Sequence, residues 1–284
     1  MKRLKKPNLD PTVVYQACMD GVSDPGLLAR FDVSKTAFDA LALQYDTYAA
    51  ANQLYKFVPS DHAKPQQLVF AGLAKCELMD LYSMHMVGDS AGRAYYDELI
   101  TLPPNGKCPY CWFGQVSTLD HFLAKSRYPA FAVLPANLVP SCTDCNKGKG
   151  SSVLVEAEQI PHPYFAEAAI ETDAWLFAEI VATSPATAGF SVRVPNTWPP
   201  DLGLRVRNYF EDLELAKRFA IEAASEIVSV GDMFKELPSP EMRKAIVAAA
   251  AKTERQHRTN SWRAALYEAL AASAWFVGGG YAVA

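Results

Sequence analysis

The sequence predicts an α+β protein in which a small cysteine-bearing unit lies between two mainly helical lobes. Apolar residues recur at helical spacing through the first hundred residues. Two prolines and an Asn-Gly pair within 102–106 end that pattern. Short apolar stretches with four cysteines follow, and helical spacing then returns. We therefore expect a helical N-terminal lobe over 1–104, a core unit over 105–152 and a mainly helical C-terminal lobe over 153–284.

Capping residues and apolar spacing mark the helices of the N-terminal lobe. Asp10 followed by Pro11 is the pattern of an N-cap and a first helical position. Ser34 precedes aromatic and aliphatic residues that recur every three or four positions, which predicts a helix start there. The segments 66–86 and 91–100 are expected to add two further helices.

The C-terminal lobe is predicted to contain four helices and one strand. Helical spacing covers 165–181, and apolar and polar residues then alternate over 190–194, as in a half-buried strand. Three further helices are expected over 209–230, 240–252 and 260–276.

Composition and charge limit the classes of protein to which the chain can belong. Half of its 284 residues are apolar and a fifth are charged, which excludes disordered and collagen-like chains. A net charge of −4 excludes a generally basic nucleic-acid-binding protein. The basic N-terminus is not followed by an apolar stretch, so no secretory signal is predicted. The segment 264–284 carries one charge but is rich in alanine and interrupted by three glycines, so we expect a buried helix and no membrane contact.

Four of the six cysteines form two C-x-x-C pairs, Cys108 with Cys111 and Cys142 with Cys145, which are separated by 30 residues. This spacing is typical of a zinc site and not of a disulfide framework, and it favours the reducing cytoplasm. Four thiolates complete the tetrahedral shell of Zn²⁺, so the predicted ion is structural. It would stabilise a unit too small to fold by apolar burial alone. The alternative is four unrelated buried cysteines.

Further motifs follow in a fixed order around the cysteine pairs. Asp120-His121 and Asn137-Leu138 lie between the pairs, and Asn146-x-x-Lys149 begins directly after Cys145. In this combination, residues 105–150 resemble the HNH endonucleases, the ββα-metal nuclease group, in their zinc-containing form. The flanking lobes resemble HNH proteins encoded with bacterial anti-phage defence systems.

The resemblance implies a second, catalytic metal and a role for each motif residue. In the family, the positions matching Asp120 and Asn146 hold the metal, and oxygen ligands suit Mg²⁺ or Mn²⁺. The position matching His121 is the general base that takes a proton from the attacking water. The position matching Asn137 holds the loop and orients the histidine. Asparagine at 146 is a recognised variant, and Ala124 stands where relatives often have proline, so the loop after His121 is expected to be less rigid.

The local charge also fits a nuclease. Residues 101–150 contain five Lys or Arg against two Asp or Glu, in an otherwise acidic protein. A nuclease needs cations along the phosphate backbone. A charged face that is exposed to solvent would give the same pattern. His162 lies just beyond the motif, and the alternative for this residue is a histidine held in a turn. The candidate contacts with nucleic acid are Lys125, Arg127, Lys147, Lys149 and His162.

The sequence therefore predicts a cytoplasmic, metal-dependent HNH endonuclease that hydrolyses phosphodiester bonds in nucleic acid, with DNA as the expected substrate. The resemblance of the lobes implies the nuclease effector of an anti-phage defence system, with an ATPase or another sensor subunit as partner. The alternative is a non-catalytic, zinc-stabilised module that binds nucleic acid or a partner protein. The intact set of catalytic-type residues favours the enzyme.

Overall fold

The computed structural model describes residues 1–88 and 90–283, so Ala284, the last residue of the predicted C-terminal lobe, lies outside the described residues. The described chain combines helices with three two-stranded antiparallel sheets, which confirms the mixed helix and sheet content. It forms two compact units, Lys2–Ala166 and Glu167–Ala284, the latter grouped with Met1. The predicted lobe 1–104 and core 105–152 thus share one unit, and the boundary falls after residue 166.

The first unit contains five α-helices, a π-helical turn and two hairpin-like strand pairs. In chain order its elements are α1 (Pro11–Met19), α2 (Pro25–Ala50), β1 (Leu68–Phe70), β2 (Leu73–Ala74), α3 (Lys75–Asp80), the π-helical turn (Leu81–Met86), α4 (Ser90–Ile100), β3 (Thr118–His121), β4 (Leu138–Ser141) and α5 (Thr143–Lys149). Short 3₁₀ turns occur at Leu54–Lys56, Pro104–Gly106, Pro129–Phe131, Pro135–Asn137 and Glu156–Glu158.

The first two helices begin where side-chain caps are available. The Asp10 carboxylate accepts a hydrogen bond from the amide of Thr12 at 2.8 Å, which confirms the predicted start of α1. Asp24 caps α2 ten residues before the predicted start at Ser34, through a bond of 2.6 Å from the amide of Leu27. Ser34 is buried inside α2 and donates to a carbonyl of its own helix. A serine that bonds its own helix can thus imitate a cap in the sequence.

The segment 66–86 is not one helix, as its apolar spacing predicts. Its first part is the β1–β2 hairpin, whose turn contains Ala71 and Gly72 at φ values of 45° and 77°. Two consecutive positive φ values form a tight hairpin turn, and glycine adopts this conformation without steric cost. Helix α3 starts only at Lys75 and continues into the π-helical turn.

The cysteine-bearing segment has the order strand, strand, helix. Strands β3 and β4 pair antiparallel from Thr118 opposite Ser141 to His121 opposite Leu138. Cys142 is the N-cap of α5, with its sulfur accepting from the amide of Cys145. The strand pair therefore leads directly into the helix that carries the second cysteine pair.

The N-terminal residues and the segment after α5 complete this unit. The amide of Lys2 donates to the carbonyl of Pro109 at 2.7 Å, and the amide of Leu4 donates to that of Pro163 at 2.9 Å. These bonds join the N-terminal residues of the unit to the first cysteine pair and to the segment near residue 163. They explain why residues 105–152 do not form a separate unit.

The second unit packs helices on one hairpin. Its elements are α6 (Ala169–Thr172), β5 (Leu176–Val181), β6 (Thr187–Val192), α7 (Pro200–Asp212), α8 (Leu215–Lys235), α9 (Pro240–His257), α10 (Trp262–Ala272), α11 (Ala274–Val277) and a 3₁₀ turn (Gly280–Val283).

Two predictions for this unit are wrong in detail. The predicted helix over 165–181 is a short helix and then β5, because six residues of that segment pair with β6 in an unbroken antiparallel register. The predicted helix over 209–230 is interrupted at Glu214, whose φ of 48° ends α7 and starts α8. Among residues 1–88 and 90–283, no helix is long and apolar enough to cross a membrane.

Candidate metal centre and adjoining cleft

The four paired cysteines meet in one cluster. All four side chains are buried, and their sulfur atoms lie within 4.8 Å of one another. The sulfurs of Cys111 and Cys142 are 3.8 Å apart. Tetrahedral zinc with Zn–S bonds of about 2.3 Å places its sulfurs about 3.8 Å apart, so the donor set and its spacing fit Zn²⁺.

Backbone amides and a glycine shape this cluster. The amide of Gly114 donates to the sulfur of Cys111 at 3.3 Å. A Cβ atom at Gly114 would lie 2.9 Å from the sulfur of Cys142, so only glycine fits this turn. Hydrogen bonds among the thiols, that with Cys108 first, lower the pKa of Cys142 and lower the pKa of Cys111 to about 7, while bonds within the same cluster raise the pKa of Cys108 and of Cys145. A lower pKa favours the thiolate that binds zinc.

An open cleft of about 340 Å³ lies beside the end of β3. It brings together three of the four predicted catalytic residues: Asp120, His121 and Asn146. Lys125 and Tyr82 also line it. The N-terminal lobe therefore supplies part of the wall, since Tyr82 belongs to the π-helical turn, an element that is frequent at functional sites.

The carboxylate of Asp120 is held by two donors inside the fold. Its Oδ2 accepts from the ammonium of Lys149 at 2.7 Å and from the hydroxyl of Tyr110 at 2.9 Å. Asp120 is 3% exposed, and burial raises the pKa of Tyr110 well above its usual value, so the phenol remains a donor. The buried carboxylate therefore has a cationic and a neutral donor on the same oxygen.

His121 has the tautomer and charge of a proton acceptor. Its Nε2 lies 2.9 Å from the carbonyl oxygen of Ala132, and because a carbonyl only accepts, Nε2 carries the proton. In the neutral ring the lone pair is then on Nδ1. Burial, together with the charges of Lys125 and Lys149, lowers the pKa of His121 to about 3 against the opposing hydrogen bond to Ala132. The ring is therefore neutral at pH 7.

Asn137 is completely buried and does not line the cleft. Its Oδ1 accepts from the amide of Leu123 at 2.7 Å and from the hydroxyl of Tyr45 at 3.0 Å. Its Nδ2 donates to the carbonyls of Leu123 and Phe131, both at 3.1 Å. Three of the four bonds go to the loop that follows His121 and the fourth comes from Tyr45 in α2, so the Asn137 amide is occupied in holding this loop.

The remaining cleft groups are available to a ligand. The side-chain amide of Asn146 makes no hydrogen bond to any residue that the structure describes, whereas its backbone amide donates to Cys142. The hydroxyl of Ser126 is buried and also lacks a partner within the described chain. Together with the carboxylate of Asp120 these groups form an oxygen-rich set, and such a set fits Mg²⁺ or Mn²⁺. Asp120 and Asn146 would hold the ion.

The structure separates the predicted cationic residues. Lys125 lines the cleft, donates to Ser83 at 3.0 Å and lies 4.6 Å from the centre of the Tyr82 ring. Lys147 is exposed on α5. Arg127 lines a second, more apolar cavity of about 260 Å³ and not the cleft. Of these residues, Lys125 alone is placed to meet a ligand in the cleft.

Lys149 and His162, both predicted as nucleic-acid contacts, make their contacts inside the fold. Lys149 uses its three donors on Asp120 Oδ2 and on the carbonyls of His121 and Phe122, at 3.1 and 3.0 Å. His162 is 4% exposed and stacks on Phe122 with ring centres 4.0 Å apart. In this arrangement the donors of Lys149 are used within the fold and the ring of His162 is covered by its neighbours.

His162 instead supports Asn137. Its Nδ1 accepts from the amide of Tyr164 at 3.2 Å, so Nε2 carries the proton and faces the hydroxyl of Tyr45 at 3.2 Å. The Tyr45 hydroxyl then donates to Asn137. Sequence reasoning missed Tyr45, since nothing in α2 marks a residue 92 positions from its partner. It also missed Tyr110, although that position inside a C-x-x-C pair could have drawn attention.

No protein-family model matches the chain, and no solved structure matches it. The chain is similar to a curated protein, Protein ea31 of Escherichia phage lambda. The two are 28% identical over 296 aligned positions, which cover 98% of this chain and 100% of that protein. The similarity thus extends over both compact units.

Proposed function

We propose that the chain is a metal-dependent HNH endonuclease that hydrolyses phosphodiester bonds, with DNA as its substrate. The observation that carries the proposal is the cleft lined by Asp120, His121 and Asn146. These residues belong to a strand–strand–helix segment that has one cysteine pair before β3 and the other at the start of α5. The same residues in the same order carry the resemblance to HNH nucleases.

His121 has the free ring nitrogen that a general base needs, although burial weakens it as a base by lowering its pKa to about 3. Its Nδ1 has the free lone pair, while the bond from Nε2 to Ala132 fixes the ring. The base would accept a proton from a water that attacks phosphorus in line with the leaving oxygen. The loop behind the histidine is fastened by Asn137, so the ring is held in place before substrate binds.

The other cleft groups support charge stabilisation. A Mg²⁺ or Mn²⁺ ion bound there would stabilise the negative charge that develops on the phosphoryl and leaving oxygens. Asp120 and Asn146 provide the oxygen atoms for it. The ammonium of Lys125 lies on the same wall and can bind a phosphate oxygen.

The test is cleavage of supercoiled plasmid, with single-stranded RNA run in parallel, by zinc-loaded protein in the presence of Mg²⁺ or Mn²⁺. His121→Ala should reduce the cleavage rate by about 10²- to 10⁴-fold, because the general base is lost. His257→Ala is the matched control, since His257 is exposed on α9 in the second unit. Equal cleavage rates for the wild type and His121→Ala would contradict the assignment of His121 as the general base.

The same experiment separates the enzyme from the alternative, a non-catalytic zinc module that binds nucleic acid or a partner. Such a module would retain binding and show no metal-dependent cleavage by the wild type. The anti-phage role, with an ATPase or sensor subunit as partner, stays a prediction from the resemblance of the lobes. It is tested by whether co-expression of this chain with its genomic neighbours reduces phage plating.

A further inference from the structure

The two oxygens of Asp120 lie in different surroundings. Oδ2 accepts two hydrogen bonds, from Tyr110 at 2.9 Å and from Lys149 at 2.7 Å. Oδ1 makes no hydrogen bond to the described part of the chain, and Asp120 lines the cleft. A carboxylate oxygen offers two lone-pair directions, so two donors saturate Oδ2. Oδ1 is left as the oxygen that can face a cation.

Both donors are attached to the zinc cluster. Tyr110 lies between Cys108 and Cys111 and is completely buried. Lys149 is the last residue of α5, the helix that begins at the second cysteine pair. Each cysteine pair therefore carries one of the two groups that hold Asp120.

The geometry of this contact is rigid on both sides. The Lys149 side chain is 11% exposed and that of Asp120 is 4% exposed. Lys149 is further fixed by two backbone carbonyls and by the Phe122 ring, whose centre lies 4.7 Å from the ammonium. The Tyr110 ring cannot rotate away without opening the core around the cluster. Rotation of the carboxylate would break two charge-assisted hydrogen bonds together.

We propose that Tyr110 and Lys149 are positioning residues that reserve Oδ2 of Asp120 for the fold and direct Oδ1 alone to the divalent cation in the cleft. The inference rests on the proposed function, since it takes Asp120 as a ligand of that cation. Through these two residues the structural zinc site sets the geometry of the second metal site. Mutation of a residue that hydrogen-bonds a metal ligand typically lowers metal affinity by 10- to 100-fold.

The first experiment measures Mn²⁺ binding to zinc-loaded protein, by electron paramagnetic resonance of the free ion. Tyr110→Phe removes one hydroxyl and should weaken Mn²⁺ binding about tenfold, with zinc still at about one per chain. Tyr15→Phe is the matched control, because Tyr15 is also buried and its hydroxyl bonds Ser34 at 2.8 Å, and neither residue lines the cleft. Tyr110→Phe with an affinity within twofold of wild type would overturn the inference.

The second experiment does not depend on a variant. Anomalous diffraction from crystals of the zinc-loaded wild type with Mn²⁺ should place the ion on Oδ1 of Asp120, with Oδ2 still bonded to Tyr110 and Lys149. An ion on Oδ2, or bound by both oxygens, would overturn the inference. Failure of the proposed function looks different: the wild type binds no Mn²⁺, or Asp120→Ala binds Mn²⁺ as tightly as the wild type.

Discussion

At the residue scale, buried polar side chains with a complete set of partners hold the cleft together. The chain from His162 through Tyr45 to Asn137 ends on the loop behind His121. Every member is at most 4% exposed. A buried network of this kind is stabilising only while each donor meets an acceptor, so protonation of one member affects the whole network.

His162 should make the stability of the protein depend on pH. Burial, and then the charge of Lys149, lower its pKa well below that of an unfolded histidine. The unfolded state therefore binds one more proton below pH 6.5, and stability falls as pH falls through that value. Between pH 7.5 and 5.5 the free energy of unfolding should drop by about 1.4 kcal/mol from this residue.

Urea unfolding of wild type and His162→Gln at both pH values measures this contribution. The variant should lose less stability than the wild type on acidification, by about 1.4 kcal/mol. The cysteine ligands contribute equally to both proteins, so their effect cancels in the difference. Parallel pH dependences of the two proteins would show that His162 is protonated in the folded state.

At the element scale, the strand pair β3–β4 and helix α5 are too short to be stable by themselves. The strands have four residues each and the helix has seven. Isolated helices of this length and two-stranded sheets are marginal in water. The four-cysteine cluster joins the loop before β3 to the start of α5, and zinc binding at such a site contributes directly to folding.

Cys145→Ser should therefore lower zinc content and thermal stability together. Cys76→Ser is the matched control, because Cys76 lies in α3 outside the four-cysteine cluster. We expect about one zinc per chain in the control and a clearly reduced content in Cys145→Ser, by metal analysis and thermal melting of the same samples. The zinc site would be excluded if Cys145→Ser melted at the same temperature as Cys76→Ser and neither variant contained zinc.

At the scale of the whole molecule, the cleft belongs to a unit of 165 residues, Lys2–Ala166, and not to a small module. Tyr45 comes from α2, Tyr82 from the π-helical turn and His162 from the segment after α5. Each contacts a residue of the cleft or of its supporting loop. The predicted core 105–152 contains none of the three.

A fragment of residues 105–152 should consequently fail to fold cooperatively even with zinc, whereas residues 1–166 should fold. The short fragment loses the Tyr45 bond to Asn137 and the bond of Lys2 to Pro109. Zinc-loaded fragments can be compared by circular dichroism during thermal melting. A cooperative transition for 105–152 at the temperature of the longer fragment would show that the lobe is dispensable.

The sequence alone determined the four-cysteine cluster and the local order of the motifs. The two C-x-x-C pairs predict four sulfurs in one place, since ligand type and short spacing are sufficient for zinc chemistry. The helix N-cap at Asp10 was predictable for the same reason, because it depends only on residues adjacent in the sequence. Segments 66–86 and 165–181 were mispredicted because short apolar runs suit a strand as well as a helix, and pairing with a neighbouring strand decides between them.

Only the tertiary structure decided which polar side chains line the cleft and which are hydrogen-bonded inside the fold. Lys149 and His162 have the chemistry of phosphate contacts, but the fold places carbonyls, a carboxylate and aromatic rings around them. Tyr110 and Tyr45 look like ordinary core residues in the sequence, yet each donates to a predicted site residue. The free energy of a buried polar group depends on its partners, and those partners come from distant parts of the chain.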